Sequence, residues 1–141
     1  MRRGIGVDSG GVYPILASVT QICAGLPECT LQAGDGGHRT IAVNGKRMGW
    51  YLVDHHGDGR IALTVRAAKG DNAALVAEDP TRFFMPPYVA HHGYVGYYLD
   101  TGEVDWDETR ELLTDAYRLV APKRLVRLLD ERDESGDQAS I

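Results

Sequence analysis

Asn44-Gly45 does the most to narrow what this chain can fold into. It divides two short runs, Thr40–Val43 and Lys46–Val53. Asparagine followed by glycine supplies the positive φ angles of a type I′ turn, so the two runs predict an antiparallel hairpin. Asp54–Gly59 reads as a second, longer turn. Beyond it Arg60–Arg66 alternates: Ile61, Leu63 and Val65 take one side, and Arg60, Ala62, Thr64 and Arg66 the other. That is the pattern of a half-buried antiparallel strand. Thr30–Ala33 adds a further strand, and Tyr94–Leu99 another by its β-branched and aromatic content.

Helical spacing appears on either side of these strands. Val12, Ile15, Leu16, Val19, Ile22, Cys23 and Leu26 recur at helical intervals, and Gly25 and Pro27 end the run. Pro14 fits the first turn of a helix, which places the start near Gly11–Tyr13. Asp71 is expected to cap a short helix through Ala77, closed by Pro80. Asp105 with Glu108 resembles a capping box, ahead of an apolar face of Trp106, Leu112, Leu113, Ala116, Tyr117 and Val120. Pro122 breaks that helix, and Leu125, Val126, Leu128 and Leu129 predict a last short one. Strands joined by hairpins rather than crossovers imply an α+β fold, an antiparallel sheet with helices packed on one face.

The chain is 141 residues long, a length suited to one domain. We expect a flexible N-terminus over 1–10, a domain over 11–129 and a disordered acidic tail over 130–141. No apolar run approaches the ~18 residues of a membrane span. Arg2 and Arg3 precede an apolar stretch as in a signal peptide, but Asp8, Pro14 and Ser18 interrupt it, so a cytoplasmic protein is expected. Its two cysteines, Cys23 and Cys29, then read as reduced thiols. Net charge is −5, of which residues 130–141 contribute −4. Residues 100–115 carry −6 and residues 116–129 carry +4, as a helix matched to its own dipole would.

The ordered set of motifs resembles the MmcQ/YjbR family, small bacterial proteins with a fold like that of CyaY, the bacterial frataxin. The resemblance runs from about Tyr13 to Leu129. It is carried by Leu26-Pro27-Glu28, by Val43-Asn44-Gly45-Lys46, and by Arg60–Val65 leading to the Asp71 helix. Pro86–Tyr94 and Asp115-Ala116-Tyr117-Arg118-Leu119-Val120 complete it. The proline-rich Phe84–Tyr88 and Ala121-Pro122-Lys123-Arg124-Leu125 look like the actinobacterial branch. The resemblance implies a "double wing" domain and a DNA-binding, non-enzymatic role. Where the family often carries lysine or arginine followed by tryptophan, this chain has His91, His92 and Tyr94.

Two sets of candidate site residues follow. Phosphate contact needs cations along one surface. Arg39, Lys46, Arg47, Arg60, Arg66 and Lys69 are the candidates for duplex DNA, with His91 and His92 joining them when protonated. The bland alternative is a solvated outer sheet face. The second set is apolar. Phe83–Tyr88 is an unbroken apolar run in which Pro86-Pro87 prevents regular strand pairing. Trp50, Phe84, Pro86, Tyr88 and Tyr94 then form the wall of a groove for a planar small molecule or a partner protein. Some members of the family resembled lie beside antibiotic-biosynthesis genes, which implies self-resistance. No cofactor, metal site or catalytic residue is expected. The five histidines fall in three loops, with an approach of His55 or His56 to His91 or His92 across the sheet as the one alternative. Asp105, Asp107, Glu108, Glu111 and Asp115 serve helix capping and solvation better than iron. Asp35 or Asp54 near His55 makes a poor acid–base pair, and Gly34–Gly37 lacks the strand–turn–helix setting of a phosphate loop.

Overall fold

A computed structural model describes residues 3–139, with side chains described over 14–134. Among the described residues six strands form one sheet: β1 (Cys29–Ala33), β2 (Arg39–Val43), β3 (Lys46–Val53), β4 (Ile61–Arg66), β5 (Phe83–Phe84) and β6 (Tyr94–Tyr98). Their order is β1-β2-β3-β4-β6-β5, and every pairing is antiparallel. The turn after β2 has Asn44 at φ 51° and Gly45 at φ 76°, as a type I′ hairpin requires. Because β2–β3 is fixed there, Trp50 falls opposite Thr64 on β4, and Thr64 opposite Gly96 on β6.

Four helices accompany the sheet: α1 (Arg3–Ala24), α2 (Asp71–Glu78), α3 (Trp106–Val120) and α4 (Lys123–Ala139). Val19, Ile22 and Cys23 of α1, Leu113, Ala116 and Tyr117 of α3, and Leu125 and Leu129 of α4 join Leu63, Val65, Val95 and Tyr97 in one buried core. The helices therefore cover the side of β4 that carries Leu63 and Val65. Asp105 caps α3, its side chain accepting from the Glu108 N–H at 3.0 Å. Glu108 does not return the bond in the expected box. It accepts instead from Arg82 and from the Tyr97 hydroxyl, tying β5 and β6 to α3. The Tyr117 hydroxyl donates to the Pro27 carbonyl at 2.7 Å and pins α3 to the end of α1.

Four sequence expectations change. α1 begins at Arg3, so residues 3–10 are helical and Pro14 lies inside the helix. Proline costs the ladder one hydrogen bond, and the burial of Val19, Ile22 and Cys23 holds the helix beyond it. α4 runs on through the acidic segment to Ala139, while residues 140–141 lie outside the described residues. Arg118 meets Asp130 at 2.8 Å and Asp133 at 4.0 Å, giving the first part of that segment a cationic partner. Gly70, at φ 85°, occupies the N-cap of α2, and Asp71 sits in the first turn. Finally, Phe83 and Phe84 pair with β6 before the prolines intervene. No helix among the described residues is long and apolar enough to cross a membrane.

Candidate functional site

Alternation sends every second residue of β3, β4 and β6 away from the helices, and this second face carries the candidate site. Two rows cross it. Trp50, Thr64, Gly96 and Phe84 align in one row, and Leu52, Ala62 and Tyr98 in the next. The middle of each row is small and its ends are large, so the face is a trough rather than a flat sheet. Gly96 is needed here: a Cβ at this position would collide with the Phe84 ring. Its absence lets that ring lie over the strand and stack on Tyr98 at 4.5 Å.

The chain after β5 raises one wall. Pro86 and Pro87 have no N–H to extend the sheet, so the backbone leaves the strand. Pro86, Pro87, Tyr88 and Val89 line the trough opposite Trp50 and Leu52. The cavity measures about 590 Å³, within the ~300–1,000 Å³ usual for small-molecule sites. Tyr88 is 82% exposed and holds a φ of 70°. A positive φ costs an L-residue roughly 1–2 kcal/mol. An exposed ring held at that cost on the lip of a cavity is the kind of strain found at ligand clamps.

The mouth is polar. His38, His55, His56, Asp58 and Arg60 line it. His55 packs edge-on to His38 at 5.5 Å and against His56 at 3.9 Å. His38 accepts the Val53 N–H on Nδ1 at 3.1 Å, which leaves Nε2 as its proton-bearing nitrogen. Burial first, then the neighbouring charges of His56 and His38, push the pKa of His55 down, against an opposing pull from Asp58. His55 therefore meets His38, and His56 meets His55, rather than His91 or His92. The latter two pair with each other at 4.0 Å in an exposed turn. Among the described residues no group of three or more histidines, cysteines or acids is arranged to hold a metal ion.

The expected cations do not act as one set. Arg60 is committed: its Nε donates to Asp100 Oδ1 at 3.1 Å and Oδ2 at 3.2 Å, and its Nη2 to Oδ1 at 2.9 Å. Its guanidinium also lies 3.7 Å from the Tyr98 ring centre, and the bonds to Asp100 hold its pKa up. Arg39 donates to the carbonyls of Gly37 and His38. Arg47 stands 4.6 Å over Trp50, and Arg66 stands 5.6 Å from Tyr94. Trp50 and Tyr94 contact each other at 5.2 Å, so two arginines bracket two rings. Lys46, the first residue of β3, and Lys69, in the turn before α2, are exposed. The expected open sheet face is also absent at Thr64, which is only 1% exposed beneath the proline wall.

Of the expected groove residues, Trp50, Phe84, Pro86 and Tyr88 line the cavity; Tyr94 supports it from behind Trp50. Sequence reasoning missed Leu52, Ala62 and Thr64 as the floor and the histidines as the mouth. Leu52 was within reach, since it shares a strand face with Trp50. The histidines were not, because their approach depends on where two turns land. At the α1–β1 joint Cys23 and Cys29 are free thiols, and the hydrogen bond between them raises the pKa of Cys23 and lowers that of Cys29.

This is an α+β domain with one sealed sheet face and one open, apolar trough. Residues 24–119 match the YjbR family model, and the chain belongs to the YjbR family. The crystal structure of a Deinococcus radiodurans protein with a DUF419 domain shares the fold. Its TM-score is 0.64 at 18% identity, over 82% of this chain and 87% of that one. No protein of curated function matches the chain.

Proposed function

We propose that this protein is a cytoplasmic, non-enzymatic binding module for a flat, largely apolar small molecule held in the trough. The observation that carries this reading is the trough itself: a 590 Å³ cavity with small residues on its floor and aromatic or proline walls. Such a shape leaves apolar surface in water, and a planar ligand removes it. Tyr88 supports the same reading, because an exposed ring at positive φ has no packing role to justify its strain. A thermal-shift panel of planar aromatics tests it, since a ligand selective for the native state raises the melting temperature. Shifts abolished by Trp50→Ala are expected. A panel with no shift at all overturns the reading.

A second reading, weak salt-sensitive contact with duplex DNA, has one observation behind it. Among the described residues no ion pair engages Arg39, Lys46, Arg47, Arg66 or Lys69. Arg47 and Arg66 also bracket the Trp50–Tyr94 pair, leaving two cations beside two rings. The net charge of −5 and the neutralisation of Arg60 by Asp100 weigh against strong binding. Fluorescence anisotropy with labelled duplex at two salt concentrations decides. Affinity that falls steeply with salt and is lost in Arg47→Glu/Arg66→Glu supports DNA contact. Salt-independent or absent binding removes it.

A further inference from the structure

We propose that the ligand of the trough is a planar organic acid, with its rings over Ala62 and Thr64 and its anionic group at the His38–His55–His56 end, so that binding takes up protons. This deepens the small-molecule reading and rests on it. The argument begins with the asymmetry of the cavity. The Pro86–Val89 wall brings no charged side chain, and its one titratable group is the Tyr88 phenol. All the adjustable charge lies at the opposite end. There, histidines from two separate segments come within ring contact of one another.

The other charged groups at that end are already engaged. Asp54 accepts the Gly59 N–H at 2.6 Å, and Asp58 accepts the Arg60 N–H at 2.9 Å. Arg60 is held by both oxygens of Asp100 and stacked on Tyr98. Asp58 remains an opposing charge at the mouth, so an anion gains nothing there while the histidines are neutral. Burial first, then the neighbouring charges of His56 and His38, disfavour a proton on His55. A carboxylate among these rings offsets that penalty and accepts their N–H groups in charge-assisted bonds. His55 is therefore poor at holding a proton when the trough is empty and good at holding one with an anion in place. His56 adds a second sign of a built site. It keeps a φ of 56° at the mouth, the same left-handed strain as Tyr88 on the lip.

The test uses the full chain and two matched probes, naphthoate and the neutral naphthalenemethanol, titrated by calorimetry at about pH 8 and about pH 5.5, either side of the histidine range. Naphthoate affinity should rise at least about tenfold on acidification, the equivalent of one pKa unit of linkage. Naphthalenemethanol affinity should stay flat. In His55→Gln/His56→Asn, which keeps an αL-tolerant residue at position 56, the acid should lose its pH response while circular dichroism stays native. The inference is overturned if the two probes respond alike to pH, or if the acid keeps its response in the double variant. Alcohol binding without acid preference removes this inference alone. No binding of either probe at either pH removes the small-molecule reading as well.

Discussion

Adjacent residues of β4 meet opposite fates. Leu63 and Val65 are sealed beneath α1, α3 and α4, fully out of water. Ala62 and Thr64 are nearly as inaccessible, yet they floor a cavity of about 590 Å³. Low exposure alone does not separate the two faces. The difference is volume: large side chains fill the helix side, while small ones on the other side leave a space bridged by Trp50, Phe84 and Tyr88. One face is built for stability and the other has room to spare, as a binding surface requires.

Exchanging sizes across that pair gives the sharpest attempt to break the comparison. Leu63→Ala should lower unfolding free energy by about 2–5 kcal/mol, read from the denaturant midpoint, because it leaves a hole in a packed core. Ala62→Leu should change stability by less than about 1.5 kcal/mol, because the added atoms enter empty space. It should nonetheless abolish thermal shifts by planar aromatics. Equal stability losses at the two positions would show that both faces are packed core.

Tyr88→Gly probes the strain on the lip. Relief of the positive φ and the added freedom of the unfolded chain nearly offset, so stability should hold or rise by up to about 1 kcal/mol. Affinity for planar probes should fall in the same variant. A clear loss of stability would mean that Tyr88 supports the fold.

The smallest effect is electrostatic. His55 in the folded protein protonates below its ordinary value of 6.5, while the unfolded chain protonates at that value. The unfolded state therefore binds the proton first, and this group's contribution to stability is lost as pH falls from 6.5 toward the lower folded pKa. The melting temperature of the empty protein should drop across that window, less so in His55→Gln. Identical profiles for the two proteins would show that His55 is not held back from protonation.

Much of the fold was legible because it rests on local rules. Asn44-Gly45 sets a turn, alternation in Arg60–Arg66 sets two faces, and Asp105 marks the start of a helix. The acidic segment misled because composition reports charge and not the position of Arg118, which neutralises part of it from α3. For the site, Phe84, Pro86 and Tyr88 were readable as an apolar run that cannot remain a strand. Arg60 was misread as a free cation because Asp100, its partner, lies 40 residues away.

Spacing, turn chemistry and helix caps act over a few residues, and so they alone settled the antiparallel sheet, the helices and the sidedness of each strand. What those sides would face was a matter of long-range packing. Only the folded chain decided that Ala62 and Thr64 share a cavity with Pro86 and Pro87, that His38 meets His55, and that Asp100 neutralises Arg60. Each of these depends on where distant segments come to rest, and side-chain volumes summed across four strands, not any local preference, determine whether a sheet face closes or stays open.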